Sequence, residues 1–484
     1  MGLTQILKSI GIVLILVAVS LLLPLLCLFA YPDEMQYIKD FVIPAAIALV
    51  AGVCLFLFIK PSKEGRFNNS NLSSTLVLFS WVVAIFFGAL PFVFSGQLSM
   101  LMAIFESTSG WTTTGFTIMD VSQVPNMFLL WRSIMQLLGG LGVVFLLMLT
   151  TKGGNGMVLF SAEGHADRIH PNVKKTIALT LKLYAAFFVA GVLLYWIFGM
   201  PLFDAINHTM AAISTAGFST QTASIGAYNS IPIEIVSILL MLIGSIGFAA
   251  HALIVKGKIR KFFQVTEVRV YFGIIVVFTV ILTCFTNFRE SIFTIVSVMS
   301  TTGFSTVNPA TWGGAYHGVV MLMLIIIMLV GGGTGSTAGG IKQFRIALAL
   351  KSAVWEFKRK FLPERAVKNN YIIRPNGKFF VQDRVLIDVY NYIVVYIVLW
   401  FVGTFIVCLS GYGFADSLFE VSSALATAGA SVGVVSPDMP VQVTWTTIVC
   451  MVIGRLEFVV LFTAIINIFK GSADFISNKF KKEI

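Results

Sequence analysis

Long apolar stretches separated by short polar segments make up most of the chain. An average taken over about 19 residues detects stretches long enough to cross roughly 30 Å of hydrocarbon as helices. Ten such stretches occur, at residues 8–30, 40–59, 74–96, 128–151, 176–199, 231–255, 267–286, 319–350, 386–410 and 444–469. Outer-membrane barrels show alternating segments of about 10 residues instead. The pattern therefore predicts an all-α polytopic membrane protein with ten transmembrane helices.

A short Thr/Gly motif recurs four times between pairs of these stretches. It aligns without gaps as x-T-[AT]-G-[FA]-[ST], at residues 112–117, 214–219, 300–305 and 426–431. Each copy follows an apolar segment of about 10 residues, which is too short to cross a bilayer. Each repeat thus consists of a span, a re-entrant half-span helix, a Thr/Gly loop and a second span. We expect the four repeats to surround one ion pore in a pseudo-fourfold arrangement.

The motifs have the composition that a cation filter requires. Loop backbone at membrane depth is tolerated only where it is buried in protein or lines a water-filled cavity. Four loops around one axis meet that condition, and their carbonyl oxygens can replace the hydration shell of a cation. Glycine can adopt positive φ at the key position because it lacks a Cβ. The alternative, that small residues only allow close helix packing, fits four equivalent occurrences less well.

The second span of each repeat carries a matched glycine site, and the third repeat extends it into a long glycine-rich segment. Residues 331–340, here called the glycine loop, read GGGTGSTAGG. So many glycines predict a break in the helix near mid-membrane, just beneath the filter. A phosphate-binding Walker loop is excluded because Ile341 precedes Lys342 and no Ser or Thr follows it.

Arg455 lies in the otherwise apolar second span of the fourth repeat, where the other repeats have small residues. A charged side chain in mid-bilayer costs at least ~2.5–3.5 kcal/mol, so it should face the bundle interior or a wet cavity. Two interpretations remain open at this point. Arg455 is a fixed positive charge that raises the barrier to cations, or it forms a structural ion pair with Glu457 or Glu106.

One polar position recurs inside the half-span segments. His208 occupies the place that Glu106 and Glu420 occupy in their repeats, which predicts a polar network behind the filter. The sequence contains no ring of metal ligands and no nucleophile with a base at plausible spacing. The chain is therefore not expected to be an enzyme.

Composition and charge agree with this interpretation. The 484 residues are 57% hydrophobic and 11% charged, whereas soluble proteins are usually about 45–50% apolar. The net charge of +11 comes from basic clusters that fall on one side of the membrane if there are ten crossings; these lie at residues 60–66, 152–175, 256–269, 351–384 and 470–482. Basic loops mark the cytoplasmic side. The excess thus predicts cytoplasmic termini rather than nucleic-acid binding.

These features define a predicted division of the chain. An extra pair of spans occupies residues 1–70, the pore repeats occupy 71–155, 156–262, 263–352 and 386–484, and a basic linker occupies 353–385. The linker either docks a cytoplasmic partner or faces lipid headgroups.

The repeats, the glycine loop, Arg455 and the extra N-terminal spans together resemble the Trk/Ktr/HKT superfamily of potassium transporters, most closely its TrkH branch. The resemblance covers nearly the whole chain and implies K⁺ uptake across the bacterial cytoplasmic membrane, with no organic cofactor. It implies that K⁺ is coordinated by the backbone of Thr113, Thr114, Gly115, Thr215, Ala216, Gly217, Thr301, Thr302, Gly303, Thr427, Ala428 and Gly429.

The resemblance also implies a gate and partners. The gate would comprise Arg455 and the loop glycines Gly331, Gly332, Gly333, Gly335, Gly339 and Gly340. Family members with Ser at the position of Gly115 tend to favour Na⁺, so Gly115 implies K⁺. Ala430 replaces the Phe of the other repeats and affects only the outer shape of the filter. TrkH-like proteins are homodimers that sit on cytoplasmic nucleotide-binding TrkA-type regulatory subunits, and membrane lipid surrounds them.

Three mechanisms follow from the sequence. The first is passive, filter-selected K⁺ conduction that the glycine loop and Arg455 gate. The second is a secondary transporter that couples K⁺ to Na⁺ or H⁺, since broken helices suit both classes. The third, a non-conducting scaffold or receptor, does not account for four filter loops.

Overall fold

The computed structural model describes residues 2–59, 70–142, 173–307, 312, 314–361 and 370–480. The predicted basic cluster at 60–66, residues 152–172 of the next cluster and the end of the predicted span at 128–151 lie outside these ranges. Within the described residues the chain is helical, apart from one short hairpin.

Two N-terminal helices, α1 (Gly2–Leu22) and α2 (Ile38–Phe58), pack against each other. Two 3₁₀ helices, Leu23–Phe29 and Pro32–Tyr37, connect them. A Cβ added at Gly11 of α1 would lie 2.8 Å from the carbonyl oxygen of Gly52 of α2, and the reverse also holds. Small residues at this crossing therefore allow the two helices to approach closely.

The remaining described helices are numbered α3 to α18 in chain order. They are α3 (Ser70–Phe94), α4 (Met100–Trp111), α5 (Asn126–Leu141), α6 (Val173–Ile197), α7 (Leu202–Ile213), α8 (Ile231–Ser245), α9 (Phe248–Val255), α10 (Ile259–Phe262), α11 (Thr266–Thr283), α12 (Phe288–Met299), α13 (His317–Val330), α14 (Gln343–Arg359), α15 (Asp383–Leu409), α16 (Phe414–Ala426), α17 (Val441–Leu456) and α18 (Phe458–Phe480). Two further 3₁₀ helices lie at Ser224–Tyr228 and Gly314–Tyr316.

Four of these helices have the length expected of half-spans. Helices α4, α7 and α12 contain 12 residues each and α16 contains 13. At about 1.5 Å per residue, such helices are too short to cross the hydrocarbon. Each of them ends where a Thr/Gly motif begins.

Residues 231–255 and 444–469, each predicted as one span, are sharply bent in the structure. Helices α8 and α9 meet at 109°, and α17 meets the apolar part of α18 at 103°. By length and composition, six helices of the described residues can cross a membrane, or up to eight if each bent pair is one span. The count of ten spans stays a prediction.

Each bend coincides with an identifiable local feature. At the α8–α9 break, Gly333 N donates to Ser245 O at 2.9 Å and Phe248 N donates to Gly335 O at 3.1 Å. The glycine loop thus satisfies backbone groups that the break exposes, as buried non-helical backbone requires. At the α17–α18 break, Glu457 has a φ of +57°.

A β-hairpin interrupts the segment predicted to be a basic linker. Strands β1 (Tyr371–Arg374) and β2 (Gly377–Phe380) pair antiparallel, with Arg374 opposite Gly377. Ile373 N donates to Thr266 Oγ1 at 3.0 Å, at the start of α11. The predicted linker therefore contains regular structure that contacts α11. Residues 362–369 of the same segment lie outside the described ranges.

Candidate functional site

The four Thr/Gly motifs share one unusual backbone conformation. The threonine of each motif has positive φ, at 56° for Thr113, 51° for Thr215, 56° for Thr301 and 52° for Thr427. The glycine two residues later is also left-handed, at 92° for Gly115, 78° for Gly217, 79° for Gly303 and 68° for Gly429. A residue other than glycine with positive φ is uncommon, and a β-branched one is strained. Such strain is maintained only where the surroundings enforce it, which is typical of ligand sites.

The motifs meet in one closed ring. A Cβ added at each motif glycine would collide with a carbonyl oxygen of the next motif, in four pairs: Gly115 with Ala216, Gly217 with Thr302, Gly303 with Ala428, and Gly429 with Thr114. The fourth pair returns to the first motif, so the ring is complete. Glycine is therefore required for close approach as well as for its φ.

Side chains of the half-span helices hold the C-terminal end of three motifs, in agreement with the predicted polar network. Glu106 accepts a hydrogen bond from Thr117 Oγ1 at 2.9 Å, and Glu420 accepts one from Ser431 Oγ at 2.6 Å. His208 Nε2 lies 2.9 Å from Ser219 Oγ. Each pair is separated by 11 residues.

The third repeat has Thr294 at the network position and uses a different bond. Ser297 Oγ donates to Phe304 O at 2.6 Å. All four motif ends are thus tied to the half-span helix that precedes them, which restrains the loop backbone.

The half-span helices also point their C-terminal ends toward the ring. Their last residues are Trp111, Ile213, Met299 and Ala426, each one or two residues before a left-handed threonine. A helix C-terminus carries a partial negative charge from its unpaired carbonyl groups. Four such termini and a ring of carbonyl oxygens make the site favourable for a partly dehydrated cation.

The glycine loop lies directly against this ring. Thr337 Oγ1 is 3.0 Å from Thr215 Oγ1, and Gly339 N donates to Thr301 Oγ1 at 2.8 Å. A Cβ at Gly339 would collide with Thr427 Oγ1. The loop therefore contacts three of the four motifs. Thr337 is a contact residue that the sequence reasoning did not single out, although the Ser-Thr pair between glycines was a visible signal.

The other loop glycines provide the turns of this segment. Helix α13 ends at Val330, and α14 begins at Gln343. Left-handed φ values occur at Gly331 (66°), Gly335 (71°) and Gly340 (80°). A Cβ at Gly331 would collide with the carbonyl of Gly339; at Gly332 it would collide with the Ala338 side chain, and at Gly333 it would lie 3.3 Å from Gly247 N. The break predicted from composition is present, and the loop is compact.

Arg455 ties the glycine loop to the first repeat. Its Nη1 donates to Thr337 O at 2.7 Å, and its Nη2 donates to Gly140 O at 2.9 Å and also to Gly139 O. Carbonyl dipoles from two repeats thus accept hydrogen bonds from the guanidinium group. A planar fork of donors suits this bridging role, which a lysine ammonium could not reproduce.

The two carboxylates considered as ion partners of Arg455 pair with other arginines. Glu106 lies 2.9 Å from Arg132 Nε, and Glu457 lies 2.7 Å from Arg345 Nη2. Arg345 belongs to α14 and also lies over the ring of Tyr392, at 3.7 Å. The Glu457 pair therefore connects the helix after the glycine loop to the bend of the fourth repeat.

No group of three or more His, Cys, Asp or Glu side chains that could hold a metal ion occurs among the described residues. The ring offers backbone carbonyl and hydroxyl oxygens instead. Oxygen ligands of this kind suit a partly dehydrated monovalent cation.

A family model, curated relatives and a solved structure are all similar to this chain, and all are cation transport proteins. The sequence model of the TrkH family, described as "Cation transport protein", matches residues 39–287 and 282–473. A "Trk system potassium uptake protein TrkH" of Halomonas elongata is 31% identical, over 96% of this chain and 99% of its own. An uncharacterized cation transporter of Methanocaldococcus jannaschii is also 31% identical, over 94% of this chain and 93% of its own. The crystal structure of the potassium transporter TrkH from Vibrio parahaemolyticus superposes with a TM-score of 0.83 at 26% identity, covering 96% of this chain and 98% of that one.

Proposed function

The chain belongs to the TrkH family of cation transport proteins, and on that premise we propose that it takes up K⁺ through a filter-selected, gated pore. The single observation that carries the proposal is the closed ring of four Thr/Gly motifs, in which each glycine lies against a carbonyl oxygen of the next motif. Rings of this kind replace the hydration shell of K⁺ with backbone oxygens. Relatives named as Trk system potassium uptake proteins support K⁺ as the ion.

The filter of this proposal is the backbone of the three central residues of each motif. The pore is pseudo-fourfold, since four equivalent loops form the ring. The driving force is the membrane potential, which contributes about 2.3 kcal/mol per charge per 100 mV. No other coupling is needed to concentrate a monovalent cation.

The gate of this proposal lies just below the filter. The glycine loop contacts the ring, and Arg455 fastens that loop to Gly139 and Gly140 of the first repeat. Opening requires the loop to leave the ring and these hydrogen bonds to break. The Arg345–Glu457 ion pair would move with α14, so it connects the loop to the bend of the fourth repeat.

The proposal also includes the membrane topology, the oligomeric state and the partner subunits of the chain. We infer ten spans with both termini in the cytoplasm of a bacterial inner membrane, a homodimer in which each protomer has its own pore, and cytoplasmic nucleotide-binding TrkA-type subunits that set the gate. The basic segment around the β-hairpin is the surface that we assign to these subunits, because it adjoins α11 near the glycine loop.

Uptake of ⁸⁶Rb⁺ by proteoliposomes tests this function. With K⁺ trapped inside and an inside-negative potential, we expect the purified chain to accumulate ⁸⁶Rb⁺, and external K⁺ should compete far better than external Na⁺. Empty liposomes provide the baseline. Uptake no faster than that baseline, in protein that is monodisperse, would count against K⁺ transport.

The alternative is a secondary transporter that couples K⁺ to Na⁺ or H⁺. The sharp bends at the ends of α8 and α17 favour it, because broken helices build the midplane sites of such carriers. The two mechanisms differ in whether Na⁺ or pH changes the driving force for K⁺.

A further inference from the structure

One buried glutamine contacts the predicted filter directly. Gln136 lies on α5 of the first repeat, and its side chain is fully buried. Its Nε2 donates a hydrogen bond of 2.8 Å to Ala216 O, which belongs to the motif of the second repeat. The same oxygen lies against Gly115 in the ring. A side chain of one repeat thus holds a filter carbonyl of another.

The other three repeats have no such donor at this position. Gln136 is three residues before Gly139, the first glycine of the matched glycine site in its span. The counterparts three residues before Gly244, Gly331 and Gly454 are all methionine: Met241, Met328 and Met451. All four side chains are fully buried. The position therefore accommodates a long unbranched side chain in every repeat, and only the first repeat makes it polar.

A second residue of α5 supports the same motif. Arg132, one helical turn before Gln136, is buried and lies over the ring of Phe218 at 4.0 Å. Its charge is paired with Glu106. Residues four apart lie on one face of a helix. Together, Arg132 and Gln136 form a polar stripe that contacts the second motif at Phe218 and Ala216.

We propose that Gln136 is a positioning residue for ion selectivity, which makes the ring chemically asymmetric at Ala216. This inference rests on the proposed function. A carbonyl oxygen has two lone pairs, and the amide takes one, which leaves the other for an ion. The hydrogen bond restrains the oxygen and weakens its field.

Both physical accounts of K⁺ selectivity give the same direction for this effect. If selectivity depends on cavity size, a restrained carbonyl cannot close around the smaller Na⁺. If it depends on field strength, a carbonyl whose field is weakened by a donor favours the larger ion. Gln136 therefore disfavours Na⁺ in either case.

Gln136→Met tests the inference, since it gives the first repeat the residue that the other three already bury. We expect the K⁺/Na⁺ permeability ratio of proteoliposomes to fall about fivefold, the change expected from losing one hydrogen bond, while K⁺ flux itself persists. An unchanged ratio in folded, conducting protein would overturn the inference. If Gln136→Met does not fold, Gln136→Asn carries the same expectation, because it keeps the amide but is one methylene too short to hold Ala216.

Trp131→Phe is the matched control. Trp131 lies on the same helix as Gln136, is also fully buried, and its Nε1 also donates to a backbone carbonyl, Gly88 O at 3.0 Å, but outside the filter and the glycine loop. We expect it to leave the permeability ratio unchanged. Equal losses in the Gln136 and Trp131 variants would mean that loss of any buried hydrogen bond of α5 lowers the ratio, and would overturn the assignment. A wild-type chain that shows no K⁺ preference would instead contradict the proposed function itself.

Discussion

Replacing Gly115 with serine should lower the K⁺/Na⁺ permeability ratio on the order of tenfold, which corresponds to ~1.4 kcal/mol of lost discrimination. Gly115 has a φ of +92°, and a Cβ there would collide with the carbonyl oxygen of Ala216. The serine variant can fold only if the backbone at residue 115 or the carbonyl group of Ala216 moves. Either movement displaces a filter carbonyl that the proposed mechanism requires in place.

Gly199→Ser separates this effect from backbone strain. Gly199 has the same φ of +92°, but a Cβ there would meet no atom within 4 Å. We expect this variant to lose some stability and to keep its selectivity. The measurement is the permeability ratio under bi-ionic conditions. A Gly115→Ser protein with the wild-type ratio would show that the ring is not the filter.

Replacing Arg455 with alanine should raise cation flux at least about tenfold, because the proposed gate places this positive charge beside the ion path, and two unit charges about 4 Å apart interact by ~4 kcal/mol at intermediate dielectric. The variant also loses the hydrogen bonds that tie Thr337 to Gly139 and Gly140. The barrier falls and the loop is released, so both effects act in the same direction. The initial rate of ⁸⁶Rb⁺ uptake measures the combined effect of the lower barrier and the released loop.

Arg455→Lys distinguishes the two contributions. Lysine keeps the charge, but its ammonium cannot bridge the carbonyls of two repeats as the guanidinium fork does. If charge dominates, the lysine variant should resemble the wild type; if the bridge dominates, it should approach the alanine variant. Unchanged or reduced flux in a well-folded Arg455→Ala protein would refute the gating role.

The sequence predicts much of the fold because the relevant patterns are local. Half-span helices are recognisable as apolar segments that are too short to cross, and the glycine loop is recognisable by composition. The TM-score of 0.83 to a TrkH structure and the full-length relatives confirm the family that these patterns suggest. The filter residues stay a prediction, although the structure brings their four segments into one ring.

The bends were not predictable from hydropathy, because hydropathy reports the composition of a segment and not the direction of its helix axis. Apolar residues flank both breaks, at residues 246–247 and at Glu457. Tertiary contacts stabilise both breaks, because the glycine loop binds the first and Arg345 binds Glu457 at the second. The β-hairpin was not predicted, for a different reason. Its Pro375-Asn376-Gly377 turn is a recognisable local signal, but it lies in a polar, basic segment that was interpreted as a linker.

The partners of Arg455 and Gln136 could not be predicted for a related reason. Both side chains donate to backbone carbonyls of other repeats, Thr337 O and Ala216 O. Backbone acceptors have no sequence signature, so only the fold identifies them. Charge alone favours Glu457 or Glu106 as ion partners for Arg455, whereas the structure pairs these carboxylates with other arginines.

The reversal potential of the current through the purified chain in a planar bilayer tests the central claim most directly. Under a fixed K⁺ gradient, a filter-selected conductor should reverse near the K⁺ equilibrium potential and should stay there when a Na⁺ or pH gradient is added. A reversal potential that moves with the Na⁺ or pH gradient would contradict passive K⁺ conduction and would indicate coupled transport.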